Sequence, residues 1–282
     1  MIATTLVSSA RLADRLEDPL WRVFDCRHLL NDPAAGRAAY ARSHLPGAFF
    51  LHLDEDLSGP TNGRNGRHPL PDPLLLAGKL GSAGVSAETQ VVAYDDSGGM
   101  FAARLWWLLR WLGHTRVAVL DGGIDQWIGE GRAVSTAVPT STPAILEVDL
   151  RDGVVSSDDV LAGLEAQCFR VIDARSPDRF RGENETLDAV GGHIPGAINR
   201  FFRDNLDAGG HFRPAIDLWR EFLALLAGID PAQVVMSCGS GVTACHNLLA
   251  MEIAGLPGAR LYAGSWSEWC SDPTRPVARQ IH

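Results

Sequence analysis

The chain has 282 residues, which is long enough for two ordinary domains, and 46% of them are hydrophobic, as in a globular protein. The 34 acidic residues outnumber the 25 Lys and Arg, and the resulting net charge of -9 argues against a nucleic-acid partner. No apolar run reaches the roughly 18 residues that a membrane-spanning helix needs, and the first residues lack the pattern of a secretion signal.

Short apolar runs alternate along the chain with longer segments of helical spacing. The first half contains the runs VFD, VVAY and VAVLD, with helices expected over 74–80 and 102–112. The second half contains VID, VVMS and ARLY, with helices expected over 218–226 and 244–253. This alternation predicts an α/β fold, in which a parallel sheet is covered by helices on both faces.

The second half of the chain repeats landmarks of the first half in the same order. The matched pairs are VFDCR (23–27) with VIDAR (171–175), HLPGA (44–48) with HIPGA (193–197), VVAYDDSGG (91–99) with VVMSCGSGV (234–242), and LDGGIDQW (120–127) with YAGSWSEW (262–269). Four pairs in one order predict a tandem duplication of a single α/β domain.

A segment rich in Ser, Thr and Pro, residues 135–144, separates the two halves and has the composition of a linker. We therefore expect a first domain over 1–138, a linker over 139–150 and a second domain over 151–282. Ligands of such sheets bind at the carboxyl ends of the strands. Cys238 is expected at that position in the second domain, and Asp95 occupies the equivalent position in the first.

Cys238 follows an apolar strand and precedes a glycine-containing turn and a helix. Backbone N–H groups of the turn and the positive end of the helix dipole would favour the thiolate. We therefore expect Cys238 to be a nucleophile and the catalytic domain to be the second one. The five cysteines are widely spaced and do not resemble a disulfide framework, which favours a cytoplasmic protein. Three of the others are expected to be small buried residues and the last to be incidental: Cys26, Cys168, Cys245 and Cys270.

Other cysteine chemistries fit the sequence less well. A cysteine phosphatase needs an arginine in the loop to bind phosphoryl oxygens, and residues 239–243 contain no cation. A cysteine protease needs a histidine base, and His246 lies within the expected helix, where we expect it to face solvent. Cys238, Cys245 and His246 match no metal-binding spacing, so no metal is expected.

The motifs CGSGVTA, DARSPDRFRG, GHIPGAIN and GSWSEW resemble the two-domain rhodanese family over nearly the whole chain. Within that family the chain is similar to the 3-mercaptopyruvate and thiosulfate sulfurtransferases. The resemblance implies tandem rhodanese-like domains, of which only the second is catalytic, and no cofactor. It also implies that Cys238 takes sulfur from a small-molecule donor as a persulfide. The acceptor would be cyanide, a small thiol or a protein thiol such as thioredoxin.

The resemblance also implies roles for other residues. Arg179 matches the arginine that binds the acidic group of the donor. Ser240 matches a serine that assists donor cleavage through a relay, for which His44 and Asp32 are the candidate histidine and aspartate. An alternative role for His44 is to orient its turn, since His193 occupies the same place in the second half. The remaining donor-binding positions are those of the loop: Gly239, Gly241, Val242 and Thr243, of which Thr243 is expected to cap the helix.

The identity of the donor depends on two features. Thiosulfate-specialised relatives have basic residues where this chain has Gly239 and Ser240, which favours 3-mercaptopyruvate over thiosulfate. The family pattern has a second arginine shortly after the one at Arg179, and none occurs between Arg181 and His193. Arg200 and Arg203 are candidates to replace it. A transfer of sulfur from thiosulfate to cyanide, a dedicated sulfur carrier and a non-catalytic binding protein remain the alternatives.

Overall fold

The computed structural model describes residues 2–166 and 168–279 and divides into two compact units. The first unit comprises the residues up to Gly59 together with Leu70–Asp152 and Ala208–Phe212. The second comprises Pro60–Pro69, Gly153–Asp207 and the residues from Arg213 onward. Among the described residues, no helix is long and apolar enough to cross a membrane.

The first unit is built on a five-stranded parallel sheet in the order β1-β5-β4-β2-β3. Its strands are β1 (Leu6–Val7), β2 (Trp21–Asp25), β3 (Phe49–Phe50), β4 (Gln90–Tyr94) and β5 (Val117–Leu120). Its helices are α1 (Ser9–Ala13), α2 (Ala34–Arg42), α3 (Pro73–Ser82), α4 (Ala102–Trp111) and α5 (Gly123–Gly129). The central strand β4 is buried along its whole length, which explains its continuous apolar run.

The second unit repeats this plan with the sheet order β6-β10-β9-β7-β8, again with parallel pairing. Its strands are β6 (Val154–Val155), β7 (Arg170–Asp173), β8 (Ile198–Asn199), β9 (Val234–Ser237) and β10 (Arg260–Tyr262). Its helices are α6 (Ser157–Ala166), α7 (Pro177–Arg181), α8 (Ala215–Leu226), α9 (Thr243–Ile253) and α10 (Ser265–Trp269). Strand for strand, the two orders correspond, so the duplicated α/β fold is confirmed.

The four helices expected from the sequence are present as α3, α4, α8 and α9. The repeated motif at the end of β2 and β7 also has a structural reason. In each unit the buried aspartate at the strand end binds an arginine two residues later, through both the guanidinium group and the backbone N–H. The pairs are Asp25–Arg27 and Asp173–Arg175.

The expected division of the chain differs from the observed one in two respects. Pro60–Pro69 belongs to the second unit and Ala208–Phe212 to the first, although each was expected in the other domain. The segment expected to be a linker also packs on the first unit. The N–H of Ala144 donates to Gly81 O at 2.8 Å and that of Asp149 to Leu112 O at 3.0 Å, while Leu146 is buried. These contacts place the expected linker within the first unit.

Candidate active site

Cys238 is the first residue after the central strand β9 and opens the cysteine loop, residues 238–242. Its side chain is buried, and its Sγ accepts the N–H groups of Gly241 at 3.1 Å and Ser240 at 3.4 Å. The hydroxyl of Ser265 lies 4.0 Å from the sulfur. Helix α9 begins directly after the loop, so the positive end of its dipole is close by. This arrangement suits a sulfur atom that carries negative charge.

The two glycines of the cysteine loop are constrained to different degrees. Gly241 has a φ of 76°, in the left-handed region, and a Cβ there would overlap the carbonyl oxygen of Ala263. Gly239 is not among the residues with positive φ, and its constraint is space instead. A Cβ on Gly239 would lie 2.8 Å from Nη2 of Arg67.

We predict that Gly241→Ala reduces turnover by at least about tenfold, because the loop must move to relieve the overlap and its N–H groups then leave the sulfur. The matched control is Gly196→Ala, since Gly196 has a similar φ of 75° and no atoms within 4 Å of its Cβ position. That variant should lose only about 1–2 kcal/mol of stability. Steady-state kinetics and urea unfolding of both variants test this, and equal activity of the two would contradict it.

Ser240 is bonded to a histidine that the sequence did not single out. The Nδ1 of His68 lies 2.7 Å from the Ser240 hydroxyl, and both residues are buried. His68 belongs to Pro60–Pro69, the segment that is part of the second unit. A serine hydroxyl bonded to an imidazole can pass a proton to a developing anion.

The expected relay through His44 and Asp32 therefore needs correction. Both ring nitrogens of His44 are bonded within the first unit, Nδ1 to Tyr40 O at 2.8 Å and Nε2 to Ala137 O at 3.0 Å. The His44 ring also stacks on Tyr40, just as His193 stacks on Phe180. His44 therefore orients its turn, which was the alternative role. Asp32 is exposed in the turn before α2.

Arg179 lies beside the cysteine loop, where the resemblance implied a donor-binding residue. Its Nη1 and Nη2 are 3.7 and 3.8 Å from the Cβ position of Gly239. Glu185 accepts hydrogen bonds from Nε at 3.2 Å and from Nη2 at 2.8 Å. Burial raises the pKa of Glu185, but the hydrogen bond and charge of Arg179 and the N–H groups of Leu187 and Asp188 together outweigh it, so the net pKa is lowered and the pair is ionic.

The neighbouring cation is Arg67, which is ion-paired with Asp188. Asp188 also lies 3.4 Å from Nη2 of Arg179. Burial raises the pKa of the Asp188 carboxyl, and the Arg67 charge opposes that shift. Arg200 and Arg203 were the sequence-based candidates for a second donor-binding arginine, and both contact other residues instead. Arg200 is bonded to Asp204 and Glu221, and Arg203 lies over the ring of Phe202.

Arg175 adds a buried positive charge to the same unit. Its guanidinium lies 4.9 Å above the Trp266 ring and is bonded to Asp173. Burial lowers the pKa of Arg175, but the charges of Asp173, Glu185 and Cys238 together raise it above its ordinary value. This buried guanidinium therefore stays charged and interacts electrostatically with the Cys238 sulfur.

The first unit shows what the equivalent loop binds when the cysteine is absent. The buried Asp95 carboxylate accepts four backbone N–H groups, from Ser97, Gly99, Phe101 and Ala102, at 2.7–2.9 Å. Burial raises the pKa of Asp95, and the four amides act in the opposite direction. The loop at this sheet position therefore directs its amides at an anion.

We predict that Asp95→Ala lowers the free energy of unfolding by about 2–4 kcal/mol, because buried N–H groups lose their acceptor. It should leave the kcat of the folded protein within about twofold, since Asp95 belongs to the first unit and the nucleophile to the second. Asp96→Ala is the control, because Asp96 is adjacent but exposed. Urea unfolding with paired assays tests this. An unchanged unfolding midpoint would contradict it.

Several smaller expectations also need correction. Thr243 is the first residue of α9 and does not cap it; the cap position is Val242, which makes no side-chain cap bond. His246 is buried rather than facing solvent, and its Nδ1 lies 3.1 Å from Asn205 Nδ2. Cys26 and Cys245 are buried as expected, whereas Cys168 is exposed. All five cysteines are free thiols.

The sequence did contain a signal for His68. In each half a glycine-flanked segment with a histidine precedes a helix, GRHPLPD before α3 and GHFRPAID before α8. In the structure, the two histidines lie in Pro60–Pro69 and Ala208–Phe212. These are the two segments that belong to a different unit from the residues on either side of them in the chain. This fifth repeated landmark marks the histidine that contacts Ser240. Asp188 and Arg67 have no such signal.

A family model described as the rhodanese-like domain matches residues 8–130 and 156–272 of the chain. These two matches correspond to the two units with the same strand order. The cysteine loop lies within the second match and Asp95 within the first.

Individual relatives match nearly the whole chain. A probable 3-mercaptopyruvate sulfurtransferase from Pseudomonas aeruginosa is 47% identical over 281 residues, which cover 99% of each chain. A putative thiosulfate sulfurtransferase from Mycobacterium tuberculosis is 40% identical and covers 97% of this chain and 96% of its own. The solved structure of 3-mercaptopyruvate sulfurtransferase from Leishmania major matches with a TM-score of 0.83 and 29% identity, over 94% of this chain and 74% of its own.

Proposed function

Because the chain belongs to the rhodanese family, we propose that it is a sulfurtransferase that moves sulfane sulfur from 3-mercaptopyruvate to a thiol or cyanide through a persulfide on Cys238. The observation that carries this proposal is the geometry of the cysteine loop. The N–H groups of Ser240 and Gly241 donate to Sγ, and the hydroxyl of Ser240 is bonded to His68. The nucleophile and its anion-stabilising donors thus lie within four residues of chain, and His68 from a distant segment completes a proton-transfer pair with Ser240.

In the first half-reaction the Cys238 thiolate attacks the sulfur of 3-mercaptopyruvate. A sulfur–sulfur bond forms, the carbon–sulfur bond breaks, and its electron pair leaves as the enolate of pyruvate. The thiol proton of the donor stays on the outer sulfur of the persulfide. Ser240, bonded to His68 at 2.7 Å, donates a hydrogen bond to the enolate and supplies its proton. No oxidant or reductant is needed.

In the second half-reaction an acceptor nucleophile attacks the outer sulfur. The sulfur–sulfur bond breaks, its electron pair returns to Sγ, and the thiolate is regenerated. The proton on the outer sulfur stays there when the acceptor is a thiolate and is released to solvent when cyanide forms thiocyanate. The N–H groups of Ser240 and Gly241 and the charge of Arg175 stabilise that anion again. Covalent catalysis of this kind gives ping-pong kinetics. The proposed acceptors are cyanide, a small thiol or a protein thiol such as thioredoxin, in a cytoplasm that keeps the five cysteines reduced.

The charge balance beside the loop favours a singly charged donor. Two arginines, Arg67 and Arg179, are matched by two largely buried carboxylates, Glu185 and Asp188. The four side chains have no net charge, and a dianion such as thiosulfate gains less there than it would beside unpaired cations. Thiosulfate is the alternative donor, since a relative that is 40% identical is named a putative thiosulfate sulfurtransferase.

The experiment that tests the proposal compares the two donors with cyanide as the common acceptor. We expect kcat/KM for 3-mercaptopyruvate to exceed that for thiosulfate by at least about tenfold, which corresponds to one partly screened charge interaction. A preference for thiosulfate would reverse the donor assignment while leaving the sulfurtransferase chemistry in place. Turnover of neither donor would favour a non-catalytic binding role.

A further inference from the structure

The first unit brings together two histidines and an aspartate that the sulfur-transfer chemistry does not use. His28 follows strand β2 by three residues, and His52 follows strand β3 by two. The two strands are parallel neighbours, with Asp25 opposite Phe50, so their carboxyl ends lie side by side. Ligands of parallel sheets bind at this end. The two histidines therefore meet where a ligand is expected, in the unit that lacks the catalytic cysteine.

The atoms of this cluster that could bind a metal ion are close to one another. Among the described residues, one nitrogen or oxygen atom each from His28, His52 and Asp54 lies within 4.8 Å of the other two. Nδ1 of His52 is 4.0 Å from Oδ2 of Asp54. The rings of the two histidines meet edge to face, with 5.2 Å between their centroids. Zinc binds nitrogen and oxygen at about 2.0–2.2 Å, which places tetrahedral ligands about 3.3 Å apart, so small side-chain movements would complete a site.

His28 has a buried nitrogen without a hydrogen-bond partner. The residue is only 5% exposed, and its Nδ1 makes no hydrogen bond. The ring is held in place by His52 on one side and by Phe101, whose ring centroid is 5.3 Å away. Buried polar atoms normally have a partner, and a bound ion is one of the few explanations for those that lack one in the protein itself. A metal ion in the cluster would supply the partner.

His52 is oriented as a metal ligand would be. Its Nδ1 accepts the backbone N–H groups of Asp54 at 3.1 Å and Glu55 at 3.3 Å, so Nδ1 carries the lone pair. Its Nε2 therefore carries the proton and donates to the carbonyl oxygen of Pro33 at 2.9 Å. A histidine bound to a metal through one nitrogen usually donates from the other to a carbonyl or carboxylate oxygen. A metal ion would replace the two long N–H bonds, so we expect weaker binding than at a closed structural zinc site.

Asp54 provides both negative charge and access from solvent. Its side chain is 41% exposed. Glu55, the next residue, is paired with Arg37. Asp56 is paired with Lys79. Asp54 is therefore the carboxylate of this acidic run that lies towards the histidines, and an ion can reach them from solvent past its side chain.

The second unit does not repeat this cluster. In the duplicated motifs, the three equivalent positions are occupied by a serine, a phenylalanine and an arginine: Ser176, Phe201 and Arg203. A phenylalanine has no lone pair to offer a metal ion, and an arginine repels one. The shared fold therefore does not require the three residues of the first unit. The sequence-based prediction of no metal rests on the spacing around Cys238, which lies in the other unit.

We propose that the first unit binds a divalent transition-metal ion, best matched by Zn²⁺, through one imidazole nitrogen each from His28 and His52 and a carboxylate oxygen of Asp54. Two imidazoles with one carboxylate suit zinc better than magnesium or calcium, which prefer oxygen ligands. The ion connects the loops that follow β2 and β3 and stabilises the first unit, and no step of sulfur transfer requires it. The proposal does not depend on the proposed function.

The test is calorimetric titration of the chelator-treated full chain with zinc chloride, in a Cys238→Ser background so that the reactive thiolate does not compete for the ion. We expect one ion per chain with a Kd of about 1–10 μM. The thermal midpoint should rise by about 3–10 °C at about 100 μM zinc. His28→Phe should weaken binding at least about thirtyfold, since even the loss of an outer partner of a metal ligand costs about 10–100-fold. This variant should fold without metal, because it removes a buried nitrogen that has no partner.

Asp54→Asn and Glu55→Gln form a matched pair, because each removes one negative charge from neighbouring positions but only Asp54 is a proposed ligand. We expect the first to weaken zinc binding at least about tenfold and the second less than about threefold. Cobalt bound in place of zinc should show the visible absorption bands of a tetrahedral ion without a sulfur charge-transfer band. No zinc binding by the background protein, binding that His28→Phe leaves unchanged, or a sulfur charge-transfer band with cobalt would each overturn the proposal.

Discussion

Cys238→Ser will reduce sulfur transfer from either donor by at least about a thousandfold, the scale expected when a covalent nucleophile is removed. The hydroxyl is similar in volume but is not ionised near neutral pH and does not hold sulfane sulfur. The fold should remain intact, because the N–H groups of Ser240 and Gly241 can donate to oxygen as they do to sulfur. Steady-state kinetics with 3-mercaptopyruvate and cyanide, with circular dichroism as a check on folding, measure this.

Cys168→Ser is the control for that variant. Cys168 is an exposed free thiol and is therefore accessible to any donor in solution. Its replacement should leave turnover within about twofold of the wild type, as for an exposed site away from the chemistry. Substantial turnover in Cys238→Ser, with sulfur carried by another cysteine, would refute the assignment of the nucleophile.

His68→Gln and Ser240→Ala will each lower kcat/KM for 3-mercaptopyruvate about a hundredfold and leave thiosulfate nearly unchanged. The enolate of pyruvate is a basic leaving group that needs a proton, and general-acid assistance typically contributes about 10²-fold or more. Sulfite, the leaving group from thiosulfate, is a weak base and needs no such help. The double variant should be no slower than either single one, because the two residues act through one hydrogen bond of 2.7 Å.

His44→Gln is the control for these variants, because His44 has a structural role and is not part of the relay. His44 makes two backbone hydrogen bonds and stacks on Tyr40 at 4.0 Å, so its loss should lower thermal stability without changing the ratio of the two donors. If Ser240→Ala and His68→Gln instead slow both donors equally, the pair only shapes the cysteine loop. The donor assignment then loses the support of the relay.

The secondary structure and the duplication of the domain could be predicted from short sequence patterns. The four clear helices, the duplicated strand–helix order and the position of Cys238 after a central strand all follow from apolar periodicity and repeated motifs. The sequence also predicted that a glycine would allow the tight turn between β9 and α9. Gly241 does so with a φ of 76°.

The parts of the site that were missed depend on contacts between distant segments. His68 meets Ser240 across 172 residues of chain, and Arg67 meets Asp188 across 121. The repeated motif GRHPLPD marks His68, but it does not indicate that Pro60–Pro69 belongs to the second unit. His44 was chosen because its motif is conspicuous, but the same motif at His193 has the same ring stacking and the same Nδ1 bond to a carbonyl, which identifies a structural turn.

The contact between Arg67 and the cysteine loop changes the expected effect of a substitution in the loop. The absence of basic residues at Gly239 and Ser240 suggested a loop without positive charge, whereas Arg67 places a guanidinium against Gly239. A basic side chain introduced at Gly239 would therefore first displace Arg67. Donor preference depends on the balance of Arg67, Arg179, Glu185 and Asp188 rather than on the loop sequence alone.

The most direct test of Cys238 as the residue that carries sulfur is to locate the transferred sulfur atom. The protein is incubated with 3-mercaptopyruvate without an acceptor, digested under non-reducing conditions and analysed by mass spectrometry. The peptide containing Cys238 is expected to gain the mass of one sulfur atom and to lose it as thiocyanate when cyanide is added. A persulfide on Cys26, Cys168, Cys245 or Cys270 instead, or no gain of sulfur in a folded protein, would contradict it.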